Sequence, residues 1–414
     1  MTKAAIAALA LAGAALAPAA SAKDAPLKLD PARIDRELTG FVDQGRVAGA
    51  EVLIWKDGRE RYYASAGLAD REAARPFTRD TLVQIYSMTK PVTGVALMQL
   101  WEQGKFGLDD PLSRYLPQFA EVKVYDGTNP DGSLKLRPPS RPITVRDVMR
   151  HIAGFTYGGA GHSTDAVWDK LQPLSPDHTL AQFADILPQV PLLSDPGVQW
   201  HYSPGVDVQA RLVEVLSGQP FDQYVAEHVF KPLGMTHSCW KCSGELRPRL
   251  AAIYDGPTLA RMGDETWLVH NFAGKPMTEG GAGIVTTIDD YMRFARMLLG
   301  EGELDGARLL QPATIRLMST DQLDPRITER QWLDSKGSGG FGLDFFVRTR
   351  PPKDAAENRG AVGEFFWDGY PSMLFWIDPA NDMAVVFATQ KTPFDGTLHH
   401  DIRQAIYGAG YGQR

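Results

Sequence analysis

VQIYSMTKPVTGVAL, residues 83–97, decides how the chain is read. An apolar segment from Leu82 to Tyr86 runs into a stretch from Met88 to Gln103, where Val92, Val95, Leu97, Met98 and Trp101 are available for burial. That spacing predicts a helix, closed by Gly104 as a C-terminal cap. Ser87 and Lys90 then lie three residues apart at its start, on one face and within touching distance. A serine hydroxyl is a weak nucleophile until a nearby base takes its proton, and an amine kept neutral by desolvation can do so. The helix N-terminus adds backbone donors and a positive dipole end where an oxyanion forms. Spacing alone is a weak signal, because Ser238-Cys239-Trp240-Lys241 repeats it in a cysteine-bearing loop.

Working outward, Asp30 to Val42 has helical spacing with Pro31 at a tolerated early position. Gly49 to Trp55 and Arg61 to Ser65 read as strands around Lys56-Asp57-Gly58, an Asp-Gly hairpin signal. From about 108 to 250, helical stretches (Ile143 to His151, Leu180 to Leu187, Val206 to Leu216, Phe221 to Val229) alternate with Pro and Gly loops. Toward the C-terminus the period changes. Phe341 to Arg348, Met373 to Asp378 and Met383 to Thr389 read as strands, and Leu398 to Tyr407 as a final helix. The expected class is α/β (α+β): one antiparallel sheet flanked by helices, with a mostly helical lobe inserted. The sheet lobe takes about 30–107 and 251–414, the helical lobe about 108–250, and a cleft between them is where a ligand is expected.

Lys3, the apolar run from Ala4 to Leu16 and Ala20-Ser21-Ala22 form the pattern of a secretory leader over residues 1–22, too short to span a bilayer. An exported protein, periplasmic or secreted, is expected. The sequence carries a net charge of −7, made one unit more acidic by loss of the leader. With no basic run, this speaks against nucleic acid and anionic membranes as partners, and no later segment is apolar enough for stable membrane insertion. Only two cysteines occur, Cys239 and Cys242. They read as a loop disulfide or two spare thiols, since zinc wants two further ligands and only His237 is close.

Five segments, in order, resemble the motifs of the β-lactamase-like, penicillin-recognising serine hydrolases: residues 83–97, Ile143 to Phe155, Trp200-His201-Tyr202-Ser203-Pro204-Gly205, Glu279 to Tyr291, and Trp367 to Pro379. The resemblance spans roughly 30 to 410. That family includes serine β-lactamases, D-alanyl-D-alanine peptidases and the family VIII carboxylesterases, and the pattern is nearest to the last. It implies Ser87 as nucleophile, with Lys90 and Tyr202 as proton-handling partners. It also implies an oxyanion hole from the Ser87 and Tyr370 N–H groups, and substrate contacts at Trp367, Asp368 and Gly369. His151 matches a loop-shaping position. Gly280, Gly281 and Gly283 permit close backbone approach or positive φ.

Two departures bear on substrate. Pro204 stands where β-lactamases have an asparagine that holds the acylamino group. Trp367-Asp368-Gly369 replaces the Lys-Thr-Gly whose cation binds a carboxylate. Two unit charges about 4 Å apart interact by roughly 4 kcal/mol at an effective dielectric near 20. Replacing that attraction by the repulsion of the added acid, Asp368, is expected to lose several factors of ten in affinity for an anionic ligand, and Trp367 offers an apolar wall instead. Asp368 either faces the cleft, where it would favour a substrate amine, or points inward as a structural acceptor.

The expected activity is hydrolysis of small carboxylic esters through an acyl-enzyme, with no metal or organic cofactor. Rivals are a D-amino-acid peptidase or amidase or a D-alanyl-D-alanine carboxypeptidase, then a weak β-lactamase, and an acylated binding or sensor protein that does not turn over. The partner is thus a small-molecule ester or amide; the sequence leaves oligomeric state open.

Overall fold

The computed structural model describes residues 27–159, 161–263 and 271–412; the leader expected over residues 1–22 lies outside them. An antiparallel sheet of eight strands organises the rest. Its strands are β1 (Gly49–Lys56), β2 (Arg59–Asp70), β3 (Arg75–Pro76), β4 (Gly339–Phe341), β5 (Phe346–Arg348), β6 (Phe365–Gly369), β7 (Met373–Asp378) and β8 (Met383–Thr389). They lie in the order β4-β5-β6-β7-β8-β1-β2-β3. The two ends of the chain therefore meet at the β8–β1 seam, where Val52 stands opposite Phe387. The β1–β2 turn is Asp57-Gly58, with φ of 52° and 72°, the left-handed backbone that a two-residue hairpin requires.

Five helices fix the layers: α1 (Pro31–Asp43), α2 (Thr89–Glu102), α3 (Gly205–Ser217), α4 (Ile288–Leu299) and α5 (Gly396–Tyr407). Side chains alternate along a strand, so neighbours face opposite ways. Phe387 meets Phe41 of α1 with ring centroids 6.0 Å apart. Trp376, on the same face, donates to the Tyr407 hydroxyl of α5 at 2.9 Å. Phe375 points the other way, onto Tyr291 of α4 at 5.0 Å. Covered on both faces, β8 is buried at every position.

Helix α2 is buried without interruption from Thr89 to Met98, as befits a core helix. It packs against α3, which begins three residues after Tyr202. That contact brings the start of α2 and the Tyr202 loop to one place.

Two details differ from the sequence reading. A hairpin of Val124–Thr128 and Leu134–Arg137 turns at Asn129-Pro130-Asp131-Gly132; its strands are short and only Val124 is buried, so it carries little apolar signal. Phe341 to Arg348 is not one strand but two, bent at Asp344 (φ 63°). The bend delivers the Asp344 carboxylate inward, where it accepts from Gln209 of α3 at 2.9 Å.

A buried ion triad ties α5 to the sheet. Glu364 accepts from Arg348 Nε at 3.0 Å and from Arg403 Nη1 at 3.0 and 3.1 Å, and none of the three is exposed. Removing one partner leaves uncompensated buried charge, which costs about 3–5 kcal/mol. Glu364→Ala is expected to lose that much in a urea unfolding series, with Glu364→Gln losing less.

Candidate active site

Tyr86 adopts the left-handed backbone, φ 46°, directly before Ser87. Such strain in a non-glycine residue persists only where the surroundings enforce it. Ser87 follows, half-buried, on the wall of a cavity of about 570 Å³ that Tyr157, Trp168, Leu174, Tyr202, Glu279 and Tyr370 also line. Lys90 Nζ lies 3.1 Å from Ser87 Oγ and donates to the Gly281 carbonyl at 2.8 Å. Tyr202 OH donates to the same Ser87 Oγ at 2.8 Å. A hydroxyl, an amine and a phenol thus converge on one point, two of them from the start of α2 and one from the loop before α3.

Tyr202 has little freedom. Trp367 Nε1 donates to its hydroxyl at 3.3 Å, and the rings of His151, Trp332 and Trp367 surround it at 4.8, 5.1 and 5.5 Å. Its backbone N–H is held by Gln331 Oε1 at 3.0 Å. His151 is buried, with burial pushing its pKa well below the usual imidazole range. Its Nδ1 accepts from the Ser203 N–H at 3.3 Å, so it shapes the tyrosine loop, as expected.

Lys90 is 2% exposed, and its surroundings are acidic. Asp207 accepts from the Gly281 N–H at 3.0 Å; burial raises its pKa, against the pull of Lys90. Glu279 is pushed up to about 8 by burial and by Asp207. Asp344 rises to about 8, mainly through burial. The glycines of this loop serve close approach rather than positive φ: a Cβ on Gly281 would lie 3.0 Å from Asp207 and 3.2 Å from Lys90 Nζ.

The Trp367-Asp368-Gly369 segment corrects two expectations. It is the end of β6, so adjacent side chains face opposite ways. Trp367 is buried beneath Tyr202 and holds its hydroxyl, rather than forming an apolar wall of the cavity. Asp368 points away from Ser87, into an ion pair with the buried Lys336 ammonium; His399 Nδ1 lies 3.9 Å away, its pKa lowered to about 4 by burial. Asp368 does not line the cavity that holds Ser87. Gly369 lacks a side chain because a Cβ would overlap the Ile85 carbonyl. That close approach sets Tyr370 on the cavity lining with Ser87.

The Beta-lactamase family model matches residues 34–408. The chain belongs to the beta-lactamase family. It is 33% identical over 378 residues to Protein Rv1367c of Mycobacterium tuberculosis, covering 88% of this chain and 90% of that one. Esterase EstB of Burkholderia gladioli is 29% identical, covering 91% and 95%. The solved structure of EstCE1, described as a hydrolase with promiscuous acyltransferase activity, superposes with a TM-score of 0.75 at 28% identity, covering 91% and 98%. Within the beta-lactamase family, the protein is a serine hydrolase.

Sequence reasoning missed several residues of this family member's site. Asp207 carried one faint signal, a lone acid in the apolar start of α3. Glu279 stood at the head of the glycine loop without a role. Lys336 reaches β6 from a distant loop and left no pattern at all.

Two outcomes follow from this geometry. Asp368→Asn should cost about 3 kcal/mol of stability by stranding Lys336, measured by urea unfolding, while changing activity on a neutral ester and an aminoacyl amide by the same factor. A selective loss on the amide would restore the amine-binding role. Asp344 and Glu279 stay protonated in the folded state to about pH 8, whereas free carboxyls ionise near 4. At these two sites the folded protein binds more protons across that window, so their contribution to stability falls as pH rises from about 4 to 8. Below about 6.5 it is opposed by the buried histidines His151, His201 and His399, whose pKa values burial lowers. The thermal midpoint should drop from about pH 6.5 to 8, and Asp344→Asn should flatten the slope.

Proposed function

We propose that this enzyme hydrolyses small, uncharged carboxylic esters through an acyl-enzyme on Ser87. The observation that carries the reading is the donation of both Lys90 and Tyr202 to one serine oxygen at 3.1 and 2.8 Å. Ser87 Oγ attacks the acyl carbonyl as its proton passes to the Lys90–Tyr202 pair. The Ser87 and Tyr370 backbone N–H groups hold the oxyanion, an interaction worth about 2.7–4 kcal/mol per donor. Tyr202 returns the proton to the leaving alkoxide, with Trp367 Nε1 keeping the phenol oxygen in line. Water then attacks the acyl-enzyme, the same groups run in reverse, and the acid departs.

Charge supports an uncharged substrate. Lys90 is the lone cation lining the cavity among the described residues, and it is committed to Ser87 and Gly281. The acids there, Asp207 and Glu279, supply no positive charge to a carboxylate in any protonation state. Pro204 caps α3 without a side-chain hydrogen bond, so no amide stands ready for an acylamino group. The relatives named as esterases add to this reading. Action outside the cytoplasm belongs to the same proposal, supported by the leader pattern and by the Cys239–Cys242 disulfide.

The test offers p-nitrophenyl butyrate, a chromogenic cephalosporin and a D-alanyl-D-alanine peptide to the purified protein beside Ser87→Ala. The ester is expected to give the highest kcat/KM by at least about a hundredfold, roughly the worth of 2.7 kcal/mol, with the variant inactive on all three. Preference for the cephalosporin or the peptide overturns the substrate class; an active Ser87→Ala overturns the nucleophile.

A further inference from the structure

Trp240 sits between the two cysteines of the Cys239–Cys242 disulfide and is itself buried. Its indole Nε1 donates to the Glu279 carbonyl at 2.9 Å. Its ring packs on Phe221 and Phe230, at 5.0 and 5.8 Å, and fills the space that a Cβ on Gly283 would occupy. Glu279 and Gly283 bracket Gly281, whose carbonyl receives the Lys90 amine. The backbone beside Trp240 is tied to the same loop. Cys239 and Val285 exchange N–H···O bonds at 3.0 and 2.9 Å, and Asn271 Nδ2 donates to the carbonyls of Trp240 and Gly283 at 2.9 and 2.6 Å. Val285 pairs in turn with Gln84, three residues before Ser87.

We propose that Trp240, locked by the Cys239–Cys242 disulfide, is a positioning residue that fixes the Gly281 carbonyl and, through it, Lys90 Nζ against Ser87 Oγ. The proposal rests on Lys90 serving Ser87 as described above. The disulfide closes a very short loop, so it removes little entropy from the unfolded chain; what it governs is local geometry. The glycine loop is pinned on its other side by α2 and α3, through Thr93 Oγ1 on the Gly280 carbonyl at 2.7 Å and Asp207 on the Gly281 N–H. Loss of the Trp240 side therefore shifts the carbonyl without releasing it. A misplacement of about 1 Å costs catalysis roughly a hundredfold, so the smaller shift expected here gives a several-fold slowing, not abolition.

Trp240→Phe keeps the ring packing and drops the N–H. Cys239→Ser with Cys242→Ser drops the lock. Both are expected to lower kcat on p-nitrophenyl butyrate by about threefold to tenfold, the scale of one hydrogen bond, with KM within about twofold. The rate at which a fluorophosphonate labels Ser87 should slow by the same factor. Dithiothreitol, oxidised to its cyclic disulfide as both cysteines become thiols, should slow the unmutated enzyme equally, and reoxidation should restore it. Undiminished kcat and labelling in both variants, or a loss confined to KM, overturns the proposal. Should Ser87 label without any ester turnover, the ester reading fails while the labelling rates still decide the role of Trp240.

Discussion

A buried amine has to be satisfied, and the site is organised around that requirement. Lys90 is buried at the start of α2, on the wall of the cavity, and its hydrogen bonds come from protein. The Gly281 carbonyl and the Ser87 hydroxyl supply them. Everything nearby follows from holding those two acceptors still. The glycine loop gives up its side chains so that its backbone fits between Lys90, Asp207 and Trp240. Burial raises the pKa of the acids around the amine, Asp207, Glu279 and Asp344.

The second constraint is the alternation of β6. Trp367 and Asp368 are neighbours in sequence and opposites in space. One supports the phenol that reaches the nucleophile; the other closes an ion pair with Lys336 behind the strand. The segment that stands where β-lactamases carry a cation here sends an indole N–H toward the Tyr202 hydroxyl. The acid beside it is answered from the far face. What disfavours anionic ligands is thus the absence of a free cation among the described residues lining the cavity, not repulsion by Asp368.

The parts of the molecule legible in the sequence were those that local rules control. The hairpin at Asp57-Gly58, the helix behind Ser87, its stop near Gly104 and the strands Met373–Asp378 and Met383–Thr389 carry their own periodicity and turn chemistry. The meeting of Ser87, Lys90 and Tyr202 was legible only through ordered motifs, since nothing local says that residue 202 returns to residue 87. What stayed hidden depends on tertiary contact. Asp344 bends a run that reads as one strand because α3 offers it Gln209, and Lys336 meets Asp368 across a loop with no periodicity. The direction of Asp368 was open because the strand's register against the cavity could not be read from its composition.

The central claim is that acyl groups pass through the Ser87 oxygen under the joint control of Lys90 and Tyr202. Rapid quenching of the enzyme with a slowly hydrolysed ester, followed by intact-protein mass measurement and peptide mapping, observes that species directly. A single acyl increment on the peptide bearing Ser87, forming and decaying at the turnover rate and much slower to form in Tyr202→Phe and Lys90→Ala, is the predicted result. Ester turnover with no covalent species, or with the acyl group on any other residue, would contradict it.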